Sequence, residues 1–439
     1  MLESLNKAFQ IPELKRRIQF NLMMFAVFVL GVHIPVPGVN HERLNQLFGA
    51  GGLLGLVDIF SGGALKRMSV FAMGIMPYIN ASIIMQMLTL AIPALEQMSK
   101  EGDTGRKQIA KITRYLTIVL GVVQATGLSM TFRAAATGPV GIAQMIVIMT
   151  AGTCFLLWMG EQMTDKGIGN GVSLVIFVGI MTSLPMQIGM VMAQVRTGYV
   201  SLFQVGIFLL MFLGTIFGIV LITQGERRIP IQHMKRIVGM RQTQASSSFL
   251  PIKVNTAGVI PIIFAISILL FPAQLLGAFP RQTTGLFAFF QNLASDMSPG
   301  RSTPWSSWWW VSLTVYALLI VVFTYFYTAV IMNVQDMADN LKRYGNLIPG
   351  IRPGRPSFEY LDRVVSRVTL AGAIFLGAVA LIQYVAPAMT GMSQGSFTLI
   401  GGTSLLIVVG VAIETMQAIE AQLLMRNYEG FIKSSGLNP

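Results

Sequence analysis

The sequence predicts an all-α polytopic membrane protein, with ten transmembrane helices in two inverted halves of five. Three observations carry that prediction. The apolar residues fall in ten long blocks, the positive charge lies on one side of them, and two motifs recur in the same order in each half.

The 439 residues are 53% hydrophobic and only 11% charged. Soluble domains carry about 25% charged residues, and a chain this long would need a polar surface. A helix crosses the hydrocarbon with about 20 apolar residues, and lipid-exposed backbone must satisfy its own hydrogen bonds. Ile18–Ile34 is the first block. It is too long for a signal-peptide core and no small-residue cleavage site follows, so it reads as a retained helix. Ser69–Ile92, Thr113–Phe132, Ile142–Met163 and Val172–Met192 complete the first half. The single cysteine, Cys154, lies inside the fourth block and reads as a small buried apolar residue, so disulfides contribute nothing. Leu202–Thr223, Ala257–Leu276, Trp309–Ile331, Ser366–Ala386 and Phe397–Ala418 form the second half. The division is therefore 1–198 and 199–439.

With the N-terminus in the cytoplasm, alternate connections become cytoplasmic and hold 24 of the 31 Lys and Arg. Cytoplasmic loops attract that excess. Trp305, Trp308, Trp309 and Trp310 precede the eighth block on the outer side, where an aromatic belt belongs. The net charge of +13 is mostly the ordinary charge of such loops. Two loops exceed what topology needs. The first, at 224–255, carries Arg227, Arg228, Lys235, Arg236, Arg241 and Lys253. The second, at 332–365, carries Lys342, Arg343, Arg352, Arg355 and Arg363. Both are long for connections between helices. Composition leaves two readings open, a docked partner or phospholipid headgroups.

Five blocks per half put the halves in opposite orientations, which permits an inverted repeat. Gly74-Ile-Met-Pro-Tyr-Ile-Asn-Ala81 matches Gly258-Val-Ile-Pro-Ile-Ile-Phe-Ala265 at the second block of each half. Gly171-Val-Ser-Leu-Val-Ile-Phe-Val-Gly179 matches Gly402-Thr-Ser-Leu-Leu-Ile-Val-Val-Gly410 at six of nine positions, in the fifth block of each. Interrupted segments at corresponding places in two halves point to a working centre between them. The paired positions there are Ile79 with Ile263, and Ile176 with Ile407. Ile75 and Ile180 lie one turn away on the same faces.

Residues 53–92 are apolar for longer than one span needs, and Gly62-Gly63 and Lys66-Arg67 interrupt them. Two cations at mid-bilayer would cost about 2.5–3.5 kcal/mol each. The segment Asp58–Leu65 is therefore expected to return toward the membrane from the outside, with a true span starting near Ser69. Such backbone needs protein or a water-filled cavity around it.

Enzyme chemistry is not expected. No Gly-x-x-x-x-Gly-Lys-Ser/Thr loop, His-Glu-x-x-His helix or Gly-x-Ser-x-Gly elbow occurs. His33, His41 and His233 are scattered. Gly167-Ile-Gly-Asn-Gly171 reads as a tight turn rather than a phosphate loop. The blocks hold two acids, Glu161 and Glu414, both near cytoplasmic ends. Ion-coupled transporters place such groups near mid-membrane. Here the centre is isoleucine, which suits a pore that excludes ions by excluding water. A secondary transporter remains the competing class, and an intramembrane enzyme the third.

Several strings carry a family resemblance. Asp58-Ile-Phe-Ser-Gly-Gly-Ala-Leu-Lys66 with Phe71-Ala-Met-Gly-Ile-Met-Pro-Tyr-Ile79 closely resembles the plug and second helix of the SecY family of protein-export channels. Gly160-Glu-Gln-Met-Thr-Asp-Lys-Gly-Ile-Gly-Asn-Gly171, Lys253-Val-Asn-Thr-Ala-Gly-Val-Ile-Pro261, Ala338-Asp-Asn-Leu-Lys342, Pro349-Gly-Ile-Arg-Pro-Gly354 and Gly401-Gly-Thr-Ser-Leu-Leu-Ile407 are similar to further motifs of that family. The resemblance spans the whole chain.

It implies an hourglass channel between two clamped halves, opening sideways between helices two and three and helices seven and eight. By motif position it implies a pore ring of Ile75, Ile79, Ile176, Ile180, Ile263 and Ile407. It implies a plug of Asp58, Ile59, Phe60, Ser61, Gly62, Gly63, Ala64, Leu65, Lys66 and Arg67. Asn80, Gln86 and Gln124 are expected to hold the side exit shut. Arg236, Arg241, Lys342, Arg343 and Arg352 are expected to dock SecA or the ribosome. The sequence departs from the family at Gly239-Met240-Arg241, where two adjacent Arg are frequent. Further implied partners are SecE, SecG, unfolded preproteins with their signal sequences, and membrane lipid, with no specific nucleic-acid sequence and no cofactor. The implied location is a bacterial inner membrane with both termini cytoplasmic.

Overall fold

A computed structural model describes residues 8–40, 44, 58, 61–198, 200–233, 237–238, 241–242, 247–277, 291, 293, 306–390 and 402–434. Each of the ten apolar blocks has a helix there. The first half contains α1 (Pro12–Val32), α2 (Met76–Ala91), the short α3 (Pro93–Lys100), α4 (Asp103–Thr131), α5 (Gly138–Lys166) and α6 (Gly171–Arg196). The second contains α7 (Leu202–Gln224), strands β1 (Glu226–His233), β2 (Ile237–Val238), β3 (Arg241–Gln242) and β4 (Ser247–Lys253), then α8 (Ile260–Gly277), α9 (Ser307–Ile331), α10 (Val334–Arg343), β5 (Asn346–Leu347), α11 (Arg355–Thr390) and α12 (Gly402–Ser434). Among the described residues seven helices are long and apolar enough to cross a membrane, and eight if the pair α2–α3 is one bent span.

Local chemistry sets the helix ends. Pro residues occupy the first turn of α1, α2, α3 and α5, where a missing N–H costs nothing. Asn170 caps α6 by accepting from the Val172 and Ser173 amides at 3.1 and 3.4 Å, which is the work of the glycine-rich turn before it. Ser201 and Gln204 form a reciprocal capping box at the start of α7. At Ile92, extended before Pro93, the chain bends by 101° from α2 into α3. The second span starts later than Ser69. Ser69 makes an isolated bridge to Pro35, residues 70–75 are turns and the helix begins at Met76, because Gly74 takes φ +56 and only then does Pro77 open the helix.

The two sets of five spans pack alike. In the first, α2 packs on α4, α4 on α5, α5 on α6, and α1 on both α5 and α6. In the second, α8 packs on α9, α9 on α11, α11 on α12, and α7 on both α11 and α12. These are the same five pairings. Two seams join the sets, α6 against α12 and α8 against α2 and α4.

The repeated glycines have repeated jobs. A side-chain carbon on Gly171 would collide with the carbonyl oxygen of Gly160 on α5, and one on Gly402 with that of Val379 on α11. Likewise Gly152 lies against the carbonyl of Val70, and Gly372 against that of Val254. Val70 and Val254 each precede the motif glycine, Gly74 or Gly258, by four residues. Gly402→Ala is therefore expected to lower stability by about 1–3 kcal/mol through overpacking. Gly377→Ala on α11, where a carbon meets nothing within 4 Å, should be neutral or better. Thermal unfolding in detergent, comparing the two variants, measures this.

The main core gathers Phe28, Phe71, Ile79, Ile176, Ile263, Tyr316 and Ile407 between the helices. A second core lies in the long basic loops. There β1 pairs antiparallel with β4 on one edge and with β5 on the other, Gln232 opposite Leu347. Ile229, Ile252, Ala338, Ile348, Leu361 and Val365 fill its underside. The two loops are thus one folded platform, an addition to the helical architecture.

Candidate functional site

Ile75, Met76, Ile79, Ile176, Ile263 and Ile266 line a neck of about 10 Å³ where the seams meet. That is room for about one water molecule. Below the neck, toward the turn at Asn170, a chamber of about 270 Å³ opens. Ile79, Ile176 and Ile263 line both spaces, and Ile407 lines the chamber. The rest of the chamber wall includes Tyr78, Ser82, Gln86, Ser173 and Tyr327, with no charged side chain among the described residues that line it. Five of the six expected isoleucines therefore gather around one passage. Ile180 is equally buried but lines neither space. It sits one turn further along α6.

The backbone explains the placement. Ile75 caps α2, and its carbonyl accepts from the Tyr78 and Ile79 amides, each at 3.1 Å. The Asn170 cap sets the rotational phase of α6, which turns Ile176 inward. Ile263 follows from the matched entry of α8, where its amide donates to Val259 at 3.4 Å. An apolar neck this narrow holds water poorly and so opposes ions by dewetting.

The broken segment packs beside the neck. Asp58 closes it into a loop by accepting the Lys66 amide at 2.7 Å on Oδ1 and the Gly63 amide at 2.8 Å on its carbonyl. The Ser61 hydroxyl donates to the Asp58 carbonyl at 3.0 Å and accepts from the Leu65 amide at 3.3 Å. Ser61, Gly62, Gly63, Ala64 and Leu65 are buried, Lys66 is half-buried and Arg67 is exposed. Ile59 and Phe60 lie outside the described residues. The base of the loop is tied to the exit of α1. Val36 donates to the Met68 carbonyl at 2.8 Å and Val70 to the Ile34 carbonyl at 3.0 Å.

Asn80 on α2 and Gln124 on α4 are buried, and Gln86 is half-buried at the chamber. Gln86 donates to Ser82 of its own helix at 3.4 Å. Its Oε1, and Nε2 of Gln124, have no partner among the described residues. No bond from Gln86 or Gln124 to α8 or α9 is found there. Lys342 and Arg343 stand exposed on the last turn of α10, and Arg352 is exposed in the turn before α11. The Arg352 carbonyl accepts from the Ser357 hydroxyl at 2.8 Å. Arg241 falls in β3, and Arg236 lies outside the described residues. Sequence reasoning missed the sheet that carries this surface. Its signal was the alternation Arg228, Ile229, Pro230, Ile231, Gln232, with the two isoleucines buried. Among the described residues no group of three or more His, Cys, Asp or Glu is placed to hold a metal ion.

A family model described as SecY matches residues 69–416. The protein translocase subunit SecY of Streptomyces coelicolor is 42% identical over 453 residues, covering 99% of this chain and all of its own length. The fold is similar to a solved structure of SecY described as having a plug domain that stabilises the closed state of the translocation channel. The TM-score is 0.67 at 18% identity, over 95% of this chain and 96% of that one. It is also similar to Sec61 in the canine ribosome-channel complex from the endoplasmic reticulum, at TM-score 0.65 and 16% identity, over 95% and 96%. The multi-pass helical fold and the match along nearly the full sequence agree: the chain belongs to the SecY family.

Proposed function

We propose that this protein is the channel subunit of a translocase that passes unfolded polypeptides across a bacterial cytoplasmic membrane and releases apolar segments sideways into lipid. The observation that carries the reading is the isoleucine neck at the junction of two seams, with a buried loop beside it. The chain would span the membrane ten times, with halves 1–198 and 199–439 and both termini cytoplasmic. The matched pairings of the two sets of helices support the halves. A polypeptide would enter the chamber, pass the ring of Ile75, Ile79, Ile176, Ile263 and Ile407, and displace residues 58–67. The ring would close round it as a soft gasket. The seam of α8 on α2 and α4 is the proposed side exit, with Asn80, Gln86 and Gln124 along it. Partition into lipid would follow transfer energy, gaining about 0.3–0.6 kcal/mol for each central Leu, Ile, Phe or Val.

SecE and SecG are the proposed small subunits, with SecA and the ribosome docking on the platform of the two basic loops. A transporter reading fits less well, because among the described residues no charged side chain lines the chamber to hold a charged solute. The test is reconstitution with SecE, SecG and SecA in vesicles, scoring ATP-dependent protection of an added preprotein from protease. Absence of protection with all subunits assembled would count against the reading. Arg352→Glu should weaken SecA or ribosome binding about tenfold, about 1.4 kcal/mol, with a normal melting temperature, since Arg352 is exposed and engages the fold through its carbonyl. A binding titration in membranes checks this.

A further inference from the structure

The closed loop meets α6 through a backbone-on-backbone contact. A side-chain carbon on Gly62 would stand 3.0 Å from the carbonyl oxygen of Gly179 and 3.3 Å from its Cα. Backbone atoms cannot swing aside as a flexible side chain can, so a methyl group there presses the two backbones apart by a few tenths of an ångström. Gly63, the next residue, differs. A carbon there meets nothing within 4 Å. Both glycines have positive φ, +73 and +80, so a side chain strains the backbone at either position. Only at Gly62 does it also press on a neighbouring backbone.

Gly179 lies three residues after Ile176, and so on the same face of α6 as that neck residue. Its repeat counterpart is Gly410 on α12. There a carbon would stand 2.9 Å from Cγ1 of Val259, at the entry of α8. A glycine of this matched pair thus meets a close neighbour in both halves. In the second the neighbour is a side chain of the half itself, and in the first it is the backbone of the closed loop at Gly62. The loop is also tied across its ends and at its base. Asp58 bonds the Lys66 amide across it, and Met68 and Val70 are tied at its base to Val36 and Ile34. A displacement at Gly62 is therefore passed to the whole loop rather than absorbed by it.

We propose that Gly179 is the seat of the loop, a notch in the wall next to the neck that fixes the depth at which residues 58–67 rest, with Gly62 as the point of contact. Both are positioning residues. The inference rests on the plug reading given above and adds what holds the plug in register.

The test compares Gly62→Ala, Gly63→Ala and Gly179→Ala with the parent and with a deletion of residues 58–67. All are assembled with the small subunits in planar bilayers without substrate. A second readout is the rate of thiol labelling of Ser61→Cys, a position 1% exposed, in a Cys154→Ser background. Gly62→Ala and Gly179→Ala should raise the resting open probability about tenfold over Gly63→Ala, and Cys introduced at position 61 should label faster in both. Gly179→Ala favours its helix, so it should insert normally and stands in for Gly62→Ala if that variant fails to assemble. Equal leakage from Gly62→Ala and Gly63→Ala, or a Gly179→Ala protein as tight and as shielded as the parent, overturns the seat. If the deletion itself stays tight, the plug reading fails and the seat with it. If the deletion leaks while the glycine variants do not, the seat alone fails.

Discussion

Deletion of residues 58–67 is expected to turn a channel that is tight at rest into one that opens frequently without substrate. Leu65 is 0% exposed, and Ala64 and Ser61 are buried with it. Burying a side chain such as Leu contributes about 1.5–3 kcal/mol, and the hydrogen bonds centred on Asp58 hold that side chain in place. Without the loop, only the neck would oppose ion flow. Each 1.4 kcal/mol removed from the closed state is about a tenfold shift toward open states, so even the Leu65 contribution alone predicts a rise of more than tenfold in open time. Planar-bilayer recordings of the intact and deleted proteins, each with its small subunits, measure it. A deleted form that folds, inserts and remains as tight as the parent would remove the loop from the gating account.

Polar substitution in the neck should have the next largest effect, and it should depend on position. Ile79 and Ile263 line both the neck and the chamber. An asparagine at either would bring an amide into a space of about 10 Å³. An unsatisfied buried polar group costs about 1–3 kcal/mol, and the cheapest relief is to admit water. A wetted neck conducts ions, so Ile79→Asn and Ile263→Asn should leak at rest even with the loop intact. They should also weaken the gasket around a moving polypeptide, read as ion current during translocation. Ile180→Asn is the internal control. It lines neither space and should leak less than Ile79→Asn. If the Ile180 and Ile79 variants leak alike, the ring extends along α6 beyond the neck described here.

The two predictions bear on how much of the site could be read from residue order. Hydrophobic block length is a local signal, so a helix for every block was legible. The pairing of Ile79 with Ile263 and Ile176 with Ile407 was legible because the repeat marks them without any structure. Ile180 was placed in the ring by helical periodicity and by its position in the family motif. Periodicity fixes a direction but not a depth, and Ile180, one turn beyond Ile176 on α6, lines neither the neck nor the chamber. The start of α2 was misplaced by seven residues because hydropathy does not register the positive φ of Gly74. The platform was invisible as a fold because β1 pairs with β5 across more than a hundred residues of sequence, although the alternation in β1 was there to be seen. The hydrogen bonds expected of Gln86 and Gln124 depend on which groups face them across the seam, and that is set by packing between the halves. Gln86 instead bonds Ser82 on its own helix.

The central claim is that a polypeptide travels through the isoleucine neck, and cysteine crosslinking tests it most directly. The chain has one native cysteine, Cys154, so a Cys154→Ser background leaves the introduced thiols alone. Ile79→Cys, Ile176→Cys, Ile263→Cys and Ile407→Cys report on the path, while Phe203→Cys and Leu210→Cys, 77% and 73% exposed on α7, report on the outer surface. A preprotein carrying one cysteine is arrested halfway by a folded domain at its end. The account predicts disulfide bonds from the arrested chain to these four positions around the neck and chamber and none to Phe203→Cys or Leu210→Cys. An arrested, protease-protected chain that crosslinks on α7 and nowhere in the neck would contradict it.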